Sequence, residues 1–252
     1  ILKPVRLSDA AEARVERNRD LAEPTFDIKE FPDLLHLKNQ EIIPCKIESY
    51  NKETLTFKSP FIVIGKIDSG HVKGVEFANG MGARDKESFT INDVKLDRAL
   101  TIPRFNRDNP PSHVLVAKTG DLMRGSLLDI SGQRIQFESK LRKMNIPVNR
   151  VAMVVNVSMP EEDLDKPRDS HTTNDNVRAT LTDGSTLVFE ALESNNGKLL
   201  GHSPFYGEMA IPIASIQHLT FGEFEKEKLK SVFDEWVVQQ GREPEYSKQP
   251  PP

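Results

Sequence analysis

The chain has 252 residues, with a formal charge of −4, 37% hydrophobic residues and 29% charged residues, which suffices for one large domain or a few small ones. This balance argues against a uniformly basic nucleic-acid binder. The single cysteine, Cys45, excludes an internal disulfide framework and a cysteine zinc cluster, and no stretch approaches the ~20 apolar residues of a membrane helix.

The chain begins at Ile1, which reads as a processed or partial product. Residues 1–33 read as an N-terminal helical or extended segment, with Ser8 expected to cap a short helix. Three self-similar segments follow, Leu34–Phe77, Val114–Val157 and Arg178–Phe221. The first and third align without a gap at a constant offset of 144 residues, and the second starts at an offset of 80 and loses one residue before Ile146. Asn39, Thr119 and Asp183 share a turn position; Ile47, Leu127 and Ala191 match, as do Leu55, Ile135 and Leu199. The first and third share Ser59-Pro60-Phe61 and Ser203-Pro204-Phe205, and they close alike on Ile67, Val72, Val75 and Phe77 against Ile211, Ile216, Leu219 and Phe221.

Each segment reads as β. Apolar residues alternate through Ile43, Cys45 and Ile47 and through Leu55 and Phe57. Turn signals such as Thr119-Gly120-Asp121, Thr182-Asp183-Gly184 and Asn195-Asn196-Gly197 punctuate them. Four or five short strands per segment cannot bury both faces of one small sheet. The expected fold is therefore mainly β: three tandem small barrel-like units or curled antiparallel sheets (34–77, 113–157 and 177–222), with short helices near both ends. The link 78–112 carries a Pro-rich insert, Ile102 to Pro111, expected to be extended. Residues 158–176 read as a polar linker. In the last stretch, 223–252, Leu229, Val232, Phe233, Trp236 and Val237 fall at helical spacing ahead of an extended tail.

The second segment, with Gly120, Asp121, Gly125, Leu127, Phe137, Ile146, Pro147, Arg150 and Val151, resembles a β repeat of planctomycete-type proteins. The closing stretch Phe233–Tyr246 resembles a segment that follows such repeats. The resemblance implies a β-repeat module, carries no activity with it, and leans toward an exported or cell-envelope setting. A more distant similarity is to Sm-like and SH3-like small barrels, whose first hairpin places two glycines as Gly120 and Gly125 stand here; the first segment lacks both and the third lacks the second. Fold likeness of this kind does not carry function.

The six histidines show no H-x-H or H-E-x-x-H spacing. His202-Ser203 reads as a turn before Pro204, Glu161–Asp165 as a solvated acidic run and Cys45 as a small core residue. No catalytic, cofactor or metal set is assigned, and the chain is expected not to be an enzyme. The outstanding polar feature is charge. The second segment carries seven cationic against three anionic residues, net +4, whereas the third carries two against four, net −2. Arg104, Phe105 and Arg107 precede the second segment and join Arg124, Lys140, Arg142 and Lys143 as the candidate interaction surface. The opposed charges suit a protein partner or self-association, so a structural or protein-interaction module is expected. The alternative is Sm-like nucleic-acid binding through the same basic residues, with Phe105 as the interleaved aromatic.

Overall fold

The computed structural model describes residues 29–77, 91–102, 110–158, 176–222, 233 and 235–240. Residues 33–76 supply β1 (Asp33–Leu37), β2 (Ile42–Tyr50), β3 (Thr54–Lys58), β4 (Lys66–Asp68) and β5 (Val72–Glu76). A helix, α1 (Asp93–Leu100), and β6 (Thr101–Ile102) precede β7 (His113–Ala117), β8 (Leu122–Ser131), β9 (Arg134–Ser139), β10 (Arg142–Pro147) and β11 (Val151–Asn156). Then come β12 (Asn176–Leu181), β13 (Thr186–Asn195), β14 (Lys198–Ser203), β15 (Gly207–Pro212) and β16 (Ile216–Phe221). Last, β17 (Gln239–Gln240) pairs in parallel with β6.

The protein is thus mainly antiparallel β with one short helix among the described residues. The period-2 pattern sets which face is buried. Ile135 and Phe137 of β9 and Val177, Ala179 and Leu181 of β12 point into the core, and their neighbours do not. Fifteen strands form one connected sheet, ordered β10-β9-β8-β7-β11-β5-β1-β2-β13-β12-β16, with β3 and β4 branching from β2 and β14 and β15 from β13. An additional pairing of β2 with β8, Ser49 opposite Ser131 and Tyr50 opposite Ile130, closes β1, β2, β8, β7, β11 and β5 into a ring.

The join between β5 and β11 centres on Val75 opposite Val154. These two strands are buried on both faces, which accounts for the near-continuous apolar run Val151 to Val155. One face packs into the large core, with Leu35, Ile43, Phe57, Phe137, Val154, Phe189 and Ile211 among its members. The other face is covered by Ala99 and Leu100 of α1, by Ile102, and by Phe233, Trp236 and Val238.

The link 78–112 holds α1 ahead of the Pro-rich insert, with the Asn92 side chain accepting from Lys95 N at 3.2 Å as its N-cap; residues 103–109 of the insert lie outside the described residues. One expectation changes. The helical reading of Trp236 and Val237 is not realised: Trp236–Val238 carries no helix and leads into β17, with Val238 N donating to Val157 O at 2.9 Å. A strand-like run lets Trp236 and Val238, two residues apart, both bury against the sheet. The expected N-terminal helix at Ser8, the helical positions Leu229 and Val232 and the acidic run Glu161–Asp165 lie outside the described residues.

Candidate interaction surface and buried polar sites

Of the basic residues singled out, Lys140, Arg142 and Lys143 come together at the β9–β10 hairpin, and all three are exposed. Ser139 pairs with Arg142, so Lys140 and Leu141 form a two-residue turn, with φ of 49° and 62°. Such turns require left-handed backbone at both central positions, and here neither is glycine. Leu141 is 87% exposed at the tip. No local signal announces this turn, because Lys-Leu is not a turn dipeptide.

Arg124 has a different task. Its Nη1 donates to Thr101 O at 2.6 Å and to Arg98 O at 3.2 Å. It therefore ties the C-terminal carbonyls of α1, where a cation is favoured, to β8. Arg104, Phe105 and Arg107 lie outside the described residues.

Sequence reasoning missed three polar sites, two of them buried, each assembled from residues of different strands and turns. In the first, Glu41, in the β1–β2 turn, is fully buried. Its Oε1 accepts from Val188 N of β13 at 3.1 Å. The Tyr206 hydroxyl donates to Val188 O at 3.3 Å beside the same carboxyl. Burial pushes the Glu41 carboxyl up to about 8, against the opposing pull of Tyr206, Val188 and Arg178. Burial, then the Glu41 charge, raises Tyr206 well above the usual phenol range. The cluster bolts β13 to β2 where only Ile42 and Thr186 pair as strands.

The second site holds the C-terminal segment. His36 Nε2 lies 2.9 Å from Glu76 Oε1 with both side chains buried, and the Phe233 ring meets the His36 ring edge-on at 4.8 Å. Lys73 Nζ donates to Trp236 O at 3.0 Å.

The third is a small, partly open cleft at one end of the six-strand ring, lined by Tyr50, Ser69, His113, Leu127, Val154 and Asn156 among others. The His113 Nδ1 lies 2.9 Å from Ser112 Oγ and receives Leu127 N–H at 3.4 Å, which leaves the proton of the neutral ring on Nε2. Burial, and secondarily the Lys38 charge, lower His113 to about 4. Burial also raises Tyr50.

Among the described residues, no group of three or more His, Cys, Asp or Glu is placed to hold a metal ion, and no helix is long and apolar enough to cross a membrane. Cys45 is buried among apolar neighbours, and Ser203 Oγ accepts from Phe205 N in the turn that precedes β15. The fold and surface together define a mainly antiparallel β protein that projects a cationic hairpin. Comparison of the chain with protein-family models, curated proteins and solved structures gives no match. The likeness to planctomycete-type repeats therefore rests on the residues quoted for it.

Proposed function

We infer that the chain is a non-enzymatic structural and protein-interaction module made of three β repeats, each a curled, small-barrel-like five-strand unit. Features at equivalent positions support the repeat reading. The second strand of each segment bulges at Glu48, Leu128 and Leu192. Pairing of the first strand with the fifth is interrupted at Lys73, Ala152 and Gln217. A 3-10 turn precedes the fifth strand at Ser69–His71, Val148–Arg150 and Ile213–Ser215. Bulges inherited at fixed positions are structural devices rather than accidents.

The observation that carries the interaction reading is Leu141. An 87% exposed leucine in left-handed backbone, flanked by Lys140, Arg142 and Lys143, is a costly arrangement for a solvated loop. It fits a partner protein with an apolar recess rimmed by acidic groups. To test this, a photo-crosslinking residue is placed at Leu141 in the full chain and exposed to extract of the source cells. The expected result is a discrete protein adduct that excess parent chain competes away and Leu141→Ser does not. Salt-sensitive binding of a labelled single-stranded oligonucleotide, abolished by Arg142→Glu with Lys143→Glu and indifferent to Leu141→Ser, would instead establish the Sm-like alternative.

A further inference from the structure

Strand β16 ends the sheet, and among the described residues its only strand partner is β12. Phe221 stands opposite Val177, and Gly222 N donates to Asn176 O at 3.1 Å. The alternation of an antiparallel ladder then turns the backbone groups of His218 and Thr220 toward β12 and those of Leu219 and Phe221 outward. Native sheets guard such edges with charge, proline, short length or a covering segment. The other edges here follow that rule. β10 carries Arg142, Lys143 and Pro147. β4 has three residues, with Lys66 and Asp68 at its ends. β15 is bonded by the preceding loop of the first segment, through Val63 N to Glu208 O at 3.0 Å and Ala210 N to Phe61 O at 2.8 Å. β16, Ile-Gln-His-Leu-Thr-Phe, has neither a Lys, Arg, Asp or Glu nor a proline.

The chain itself indicates what fits this edge. At the 144-residue offset β16 corresponds to β5, whose outer edge is filled by β11, the strand at the same place in the second segment. Val75 pairs with Val154, Gly74 with Val155 and Glu76 with Met153, and Phe77 N donates to Ala152 O at 2.9 Å. Val75 and Val154 are equivalent positions, so that junction is a local two-fold between like strands. Leu219 holds the same position in the third segment.

We propose that β16 is a self-complementary docking edge for β16 of a second copy of this chain. The strands run antiparallel about a two-fold axis. Leu219 faces its own counterpart, His218 faces Thr220, and Phe221 N–H meets the Gln217 carbonyl. This isologous contact closes on itself and ends at the dimer. It extends the interaction-module reading and is independent of the β9–β10 tip.

The test uses the full chain in light scattering from 1 to about 200 µM, a range suited to a contact smaller than a standard interface. A dimer is expected, and Leu141→Ser should leave it intact even if the tip reading fails. His218→Glu with Thr220→Glu sets like charges opposite each other twice and should weaken the dimer at least tenfold. His218→Cys with Thr220→Cys should give a reducible covalent dimer, because antiparallel non-bonded pairs stand about 4.5 Å apart at Cα, within disulfide reach. Cys45 is fully buried and stays silent. His218→Cys alone should remain uncrosslinked, and crosslinking by it would refute the register. A parent chain that stays monomeric overturns the proposal. So does a dimer that neither the glutamates weaken nor the paired cysteines trap. Protected Leu219 and Phe221 amides in a monomer would show that the chain covers its own edge, which also overturns it.

Discussion

Gln40, Gly120 and Gly184 stand in the β1–β2, β7–β8 and β12–β13 turns and share left-handed backbone, with φ of 73°, 83° and 86°. Two segments meet the requirement with glycine, which adopts positive φ without a Cβ clash, and the first meets it with glutamine. Gln40→Gly is therefore expected to stabilise the fold by about 0.5 to 1 kcal/mol, the relief of the left-handed penalty exceeding the added chain entropy. Urea unfolding of parent and variant measures this; a lower midpoint would mean that the glutamine side chain supports the turn. The turn itself was legible from Asn39, Thr119 and Asp183, since polar turn residues recur there. The role of Gln40 was not, because glutamine carries no turn preference.

At the scale of elements, β8 serves two sheet directions. Its first residues pair with β7, Gly125 opposite His113, and its later residues pair with β9 and β2. Gly125 sits at the change of partner, where an added Cβ would clash with the Glu138 carbonyl and lie 2.7 Å from Phe137 Cε1. Gly125→Ala is thus expected to cost about 2 kcal/mol or more through forced displacement of β9. Thermal melts read this, and an unchanged melting temperature would refute the close approach. The presence of several short strands in each segment was readable because alternation and turn chemistry are local. α1 was hidden, since its eight residues bury only Ala99 and Leu100 and leave little apolar period to detect. The pairings β5–β11 and β2–β8 were hidden too, because strand edges meet through backbone groups that every sequence shares. For the same reason Lys140, Arg142 and Lys143 could be grouped by charge, while the attachment of Arg124 to α1 and the seam at Glu41 had no local signal.

For the whole molecule, two groups partly or wholly withdrawn from water should shape stability against pH in opposite directions. Glu41, raised from 4.5 to about 8, binds its proton more tightly in the folded chain, so its contribution is full below about 4.5 and lost as pH rises toward 8. His113, lowered from 6.5 to about 4, gives stability that is present above 6.5 and lost as pH falls toward 4. Between about 4.5 and 6.5 the two slopes oppose each other, so a plateau is expected there, with a fall on either side of at most about 1.4 kcal/mol per pH unit from each group. Denaturant midpoints across pH 3.5 to 9 check this. Glu41→Gln should remove the alkaline limb and His113→Phe the acid limb. A Glu41→Gln profile identical to the parent's would mean the carboxyl ionises freely. The ring of six strands bears on how the chain is born. β1 and β5 begin it, but β11, at Val151–Asn156, completes it, and β13 reaches β2 only from Thr186 onward. During synthesis the first segment must therefore wait, with the outer edge of β5 open, for about eighty further residues to leave the ribosome. Vectorial synthesis thus makes the interval between β5 and β11 the window in which a nascent chain is most exposed to pairing with the wrong strand.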